Sequence, residues 1–175
     1  MTLMRRSSKA SGEAVLLADQ DRTRWDHSQI ARGIAALQRA DAAAAARGIG
    51  RGSYALQAGI AREHSIAVSV ETTDWIEIVR LYSALEAIAP GPVVILNRAI
   101  AVSMADGPAA ALILVDELAA TGALRGSPMI PSVRGELLAR LGRSWEAVEQ
   151  FETAAALTTA ARQRDVLLAK AAAAR

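Results

Sequence analysis

Apolar residues recur three and four positions apart along almost the whole chain, and the alternating β-branched runs typical of strands are scarce. That spacing predicts an all-α fold. A first long helix spans about residues 26–47 and stops at Gly48 and Gly50; a second runs from Ser53 to about Ala67; a third opens near Asp74 and ends before Pro90. After Gly91-Pro92 comes "PVVILNRAIAVSMA", then a helix from Pro108 to about Ala120. Further helices start near Pro131 and near Ser144, and an eighth covers about Ala160 to Ala174. Proline near the start and glycine just past the end punctuate these segments in the order helices prefer.

Within this pattern the second half repeats. A shift of 36 residues superposes Ala99 on Gly135, Val102 on Leu138, Ala105 on Leu141, Ala111 on Ala147, Leu112 on Val148, Val115 on Phe151 and Leu118 on Ala154. Small residues fall on small ones, and large apolar residues mostly on large ones. The second copy, "RGELLARLGRSWEAVEQFETAAAL", resembles a tetratricopeptide-type repeat, with Gly135, Leu138, Gly142, Ala147, Phe151 and Ala154 at its small and large positions. Such a helix pair cannot bury its own face and stacks on its neighbour. The expected architecture is a right-handed, tetratricopeptide-like stack of antiparallel helix pairs, about eight helices in one compact domain. Residues 1–25 form an extended linker, residues 26–90 a degenerate helical capping region, and residues 91–175 two helix pairs with a capping helix after Thr159.

Charge sharpens the picture more than composition does. The chain of 175 residues carries a net charge of +2 and no cysteine, so disulfides and thiolate metal sites are excluded. From Glu71 to Thr121 seven acidic residues face two basic ones, Arg80 and Arg98. A continuous basic face interleaved with aromatics, the mark of nucleic-acid binding, is not present, and no direct nucleic-acid contact is expected. No apolar run reaches the ~18–20 residues of a membrane span, and residues 1–10 lack a secretory core. A soluble protein of the cytoplasm is the expectation.

Polar residues concentrate in one stretch, "LLADQDRTRWDHSQI" at residues 16–30. Asp26 is placed to cap the first helix by accepting from the backbone N–H of Gln29, with Gln29 reaching back and Trp25 and Ile30 at the hydrophobic-staple positions. Asp74-Trp75-Ile76-Glu77 repeats the device. Asp19, Gln20, Asp21, Arg22 and Arg24 precede the cap and are not explained by it. They suit either an ion network tying an extended segment to the helical body or a polar docking surface. An acid/base site would need a partner nucleophile or a cleft, and no nucleophile accompanies these carboxylates. His27 and His64 are the two histidines, and neither has metal-ligand spacing. His64 reads as a helix-end residue interacting with terminal carbonyls, and "RGIGRG" at residues 47–52 as a turn. Asn97 reads as structural, Arg98 as a partner for nearby acids, and Tyr54 and Gln57 either as core or as part of a groove. No catalytic residue, metal or cofactor is expected.

Taken together, "AVLLADQDRTRWD", "YALQAGIAREH", "TDWIEIVRLYSALEAIAPGPVVILNRAIAV", "DGPAAAL" and "GELLARLGRSWEA" resemble the C-terminal extension of group 42 extracytoplasmic-function (ECF) sigma factors, over about Ala14 to Gln150. The resemblance implies a non-catalytic regulatory module whose partners are the sigma promoter-reading domains, core RNA polymerase, or both. It also implies an interaction signature at Asp19, Gln20, Asp21 and Arg22, followed by Trp25 and Asp26, with Tyr54, Gln57 and Arg98 as secondary candidates. "SPMIPSVRGE" and the last helix depart from the family pattern. A free-standing adaptor that binds a peptide in its groove is the alternative.

Overall fold

Helix stops and caps set the element boundaries. The structure, a computed structural model, describes Arg22 and residues 25–175. Among them are eight helices and no strand: α1 His27–Ala46, α2 Ser53–Ile66, α3 Trp75–Ile88, α4 Pro92–Ala105, α5 Pro108–Ala120, α6 Met129–Arg140, α7 Ser144–Leu157 and α8 Ala161–Ala173. α1 ends in a Schellman motif: Gly48 takes φ +64°, and the N–H groups of Gly48 and Ile49 donate to the carbonyls of Ala45 and Ala44 at 3.0 and 3.1 Å. Gly142, at φ +72°, closes α6 in the same way through Ala139 and Leu138. Both positions need a left-handed backbone that glycine adopts without a Cβ clash. Pro131 lies in the first turn of α6, where its missing N–H costs nothing.

The described chain divides into two compact units, one ending at Asp74 and one running from Trp75 to Arg175. This boundary differs from the expected one near Pro90 and from a single compact domain. The apolar face of α3 carries buried Ile78, Leu81 and Leu85, and α3 packs on α4. Pro90-Gly91 is therefore a turn inside the second unit.

In the first unit α1 packs on α2. α1 buries Leu37 alone, while α2 buries Leu56, Gly59, Ile60 and Glu63. Arg51 grips Asp41 with a two-pronged fork, 2.8 Å from Nε and 2.5 Å from Nη2, and joins α1 to the segment entering α2.

The second unit is a repeat-like stack. Each helix from α3 to α8 packs on the next, and α4 also touches α6. The 36-residue pairs behave as equivalents. Ala99 and Gly135, Val102 and Leu138, Ala111 and Ala147, Val115 and Phe151, and Leu118 and Ala154 are all buried, while Ala105 and Leu141 are both half-buried. Leu112 is buried and Val148 half-buried.

One pair is compensated. Where the first copy sets Ala99 with Val115, the second sets Gly135 with Phe151, and a Cβ at Gly135 would lie 2.7 Å from ring atoms of Phe151. The ring occupies the space that the methyl vacates. The period also reaches α8: Arg98-Ala99, Arg134-Gly135 and Lys170-Ala171 are successive cation and small-residue pairs, and Leu167 and Ala171 complete the core. α8 thus continues the repeat.

Candidate interaction site

Helix ends leave carbonyls without intrahelical partners and carry the negative end of the helix dipole. Arg22 meets that need at α2. It is 9% exposed, and its Nη1 donates to the carbonyls of His64 at 3.0 Å and Ala67 at 2.8 Å. Its guanidinium lies over the Trp25 ring, 5.5 Å from the centroid, and the Trp25 N–H donates to the Arg22 carbonyl at 3.2 Å. Sequence reasoning assigned helix-end carbonyls to His64; here Arg22 takes the carbonyl of His64 itself. Burial, and then the Arg22 charge, push the His64 imidazole below its ordinary pKa. Glu71 is held below the usual carboxylate range by a hydrogen bond from Ser69, by its own backbone N–H and by the Arg22 charge.

Asp26 caps α1 as its position suggested. Its Oδ1 accepts from the Gln29 N–H at 2.8 Å and from Ser28 Oγ at 2.6 Å. These bonds, the Ser28 one first, lower its pKa. Trp25 and Ile30, the staple positions, are both half-buried. Asp19, Gln20 and Asp21 lie outside the described residues, as does Arg24. Among the described signature residues, then, Arg22 and Asp26 serve helix ends.

Tyr54 is not a core residue. It stands in the first turn of α2, 81% exposed, at the lip of an open apolar groove of about 550 Å³ between α1 and α2. Gly33, Ala36, Leu37, Ala40 and Ala58 shape this groove. Gly33 has no side chain, and those of Ala36, Ala40 and Ala58 are too short to fill the space between the helices. Gln57 is exposed and does not line the groove.

Arg98 of α4 pairs with Glu86 of α3, Nε to Oε2 at 2.7 Å. The equivalent Arg134 of α6 pairs with Asp116 of α5 at 2.8 Å, and Lys170 of α8 with Glu136 of α6. All these groups are part-exposed, so each pair contributes modestly and acts chiefly on register. Sequence reasoning missed Arg140, whose Nη2 donates to the Ser103 carbonyl at 2.8 Å and whose Nη1 donates to Ser103 Oγ at 3.1 Å, at the end of α4. Its acceptor is 37 residues away, and no local spacing signals it. Exposed Ile100 and Met104 lie on the same helix.

Among the described residues no three His, Cys, Asp or Glu side chains come together to hold a metal ion, and no helix is long and apolar enough to cross a membrane.

Residues 2–41 match the family of unknown function DUF6596. The chain is 45% identical over 150 residues to an uncharacterized protein of Rhizobium meliloti (strain 1021). The match covers 86% of this chain and 34% of that protein, so the chain spans about a third of the length of the curated relative it matches. No solved structure matches.

Proposed function

We propose that this chain is a non-catalytic regulatory and protein-interaction domain of an ECF-type RNA polymerase sigma factor, of tetratricopeptide-like build. It modulates initiation in the cytoplasm by docking on the promoter-reading domains or on core polymerase. It makes no direct contact with nucleic acid and carries no cofactor. The five quoted segments, in their order and spacing, support the reading. So does the relation of lengths, since the similar stretch is about a third of a longer protein.

The observation that carries it is how polar and apolar groups are deployed. Arg22, Arg98, Arg134 and Arg140 are engaged with carbonyls or carboxylates of the chain itself. Tyr54, Ile100 and Met104 stand open to solvent. Engaged charges and open apolar anchors suit a protein surface rather than a reaction centre.

Calorimetric titration of the chain against promoter-reading domains from a sigma factor that carries the same segment, and against core polymerase, tests the reading. The expected result is a saturable complex with at least one of them, weakened by Ile100→Glu or Tyr54→Ala. Absence of heat with both contradicts it. The open groove beside Tyr54 favours a second reading, a free-standing adaptor that takes a peptide there. In that case Tyr54→Ala abolishes peptide binding while neither sigma domains nor polymerase bind.

A further inference from the structure

The last side chain of α6 reaches the last turn of α4. Met104 and Arg140 are 36 residues apart, so they hold the same position in successive repeats, and they come side by side where α4 touches α6. Arg140 Nη1 lies 3.9 Å from Met104 Sδ. The same guanidinium donates to the carbonyl and hydroxyl of Ser103, so these three acceptors are neutral, in contrast to the carboxylates that Arg98 and Arg134 meet. A thioether sulfur is a weak acceptor. Met104 is also 38% exposed, and it ends a stripe of exposed apolar side chains with Val93 and Ile100, spaced i, i+7 and i+11 along α4.

We propose that Met104 is a reversible oxidation site, at which hydrogen peroxide converts the thioether to a sulfoxide and Arg140 holds the new oxygen. The sulfur lone pair attacks one peroxide oxygen, an S–O bond forms as the O–O bond breaks, and the proton of the transferred hydroxyl leaves with the departing hydroxide as water. Sulfur gives up an electron pair, which the peroxide takes. An oxygen added on the side of the guanidinium falls within the ~2.7–3.2 Å of a hydrogen bond without movement of either side chain. It is a far stronger acceptor than the sulfur, and a charged donor faces it. A methionine sulfoxide reductase with its thiol reductant restores the thioether. The consequence for docking rests on the function proposed above: oxidation sets a polar group at the end of the apolar stripe of Val93 and Ile100, which loosens a partner's grip on α4.

Peptide mass mapping of the full chain after hydrogen peroxide treatment tests the site, with Met129 as the internal control. Met129 is 36% exposed and stands at the opposite end of α6 from Arg140, about 16 Å away along the helix axis. Each sulfoxide epimer has its own reductase, and only one epimer aims its oxygen at Arg140. The expected result is that one reductase clears the Met104 sulfoxide about tenfold more slowly in the wild type than in Arg140→Ala, the factor for a hydrogen bond to a charged group, while the Met129 sulfoxide is cleared alike in both. A second readout leaves Arg140 in place: hydrogen exchange over residues 103–107 slows on oxidation of the wild type, because the added bond fastens the last turn of α4, and does not slow in Met104→Leu treated the same way. Met104 sulfoxide cleared equally with and without Arg140, or exchange no slower after oxidation, overturns the proposal. Calorimetric titration separates the site from the docking reading. Oxidised wild type binds the sigma domains or polymerase about tenfold more weakly than reduced, and Met104→Leu binds alike in both states; equal binding of oxidised and reduced wild type overturns the switch. If neither state binds, the docking reading fails, and clearance and exchange decide the Met104 site on their own.

Discussion

Gly135→Ala puts a methyl where Phe151 already stands. The added Cβ would sit 2.7 Å from two ring carbons and 3.1 Å from a third, against an optimum of about 3.5–4.0 Å for carbon pairs. The ring has to retreat by about 1 Å to restore that separation. It is 2% exposed, in a cluster with Ala147, Ala154 and Leu138, so the strain is spread through packed side chains and costs about 1–3 kcal/mol. Replacing glycine within a helix returns about 1 kcal/mol, which leaves a net loss of about 1 kcal/mol. The first repeat supplies the control, since Ala99 and Val115 occupy the same two positions. In a Phe151→Val background Gly135→Ala has room and stabilises by about 1 kcal/mol. Urea melts of the four proteins, followed by circular dichroism, therefore give a coupling of about 2 kcal/mol. If Gly135→Ala has the same effect in both backgrounds, the exchange of a methyl for a ring between the repeats is refuted.

Other outcomes follow from the helix ends. Arg22→Ala strips two carbonyls of a charged donor and costs the first unit roughly 2–4 kcal/mol; hydrogen exchange over residues 64–70 rises, and Arg22→Lys, a point charge without the planar fork, recovers only part. His64 has a folded pKa below its ordinary 6.5, so the unfolded chain takes the proton first. The first unit then keeps its full stability above pH 6.5 and loses it as pH falls toward the folded pKa; His64→Gln removes that slope in a thermal-melt series. Asp26 is shifted below 3.8, so its cap acts above that pH and is lost as pH falls through the folded value. Exchange at the start of α1 is faster in Asp26→Ala than in the wild type at neutral pH, and the two converge in strong acid.

Much of the fold could be read from local chemistry. Gly48 and the Asp26–Gln29 pair act within one helical turn, so their spacing alone places a stop and a start. The 36-residue period was legible because small residues at 99, 135, 111 and 147 must stay small where helices cross. Its extension to Lys170-Ala171 was harder to see, because the first half of α8 is polar and hides the match. The unit boundary after Asp74 escaped notice because Pro90-Gly91 is the stronger breaker in sequence, whereas the division depends on which helices α3 packs against. The acceptors of Arg22 and Arg140 are backbone carbonyls, which every residue carries and no residue type announces. Tyr54 was ambiguous for a related reason: whether a ring is buried depends on what lies opposite, and here that is Gly33, Ala36 and Ala40.

The docking reading is tested most directly by promoter-dependent transcription in a purified system. A sigma factor that carries this segment is compared with the same protein lacking it, at equal occupancy of core polymerase. The account predicts that removing the segment changes the transcript yield, and that adding the separate chain moves the yield back toward the intact value, less so with Ile100→Glu. Identical yields with and without the segment, at every ratio of added chain, would contradict it.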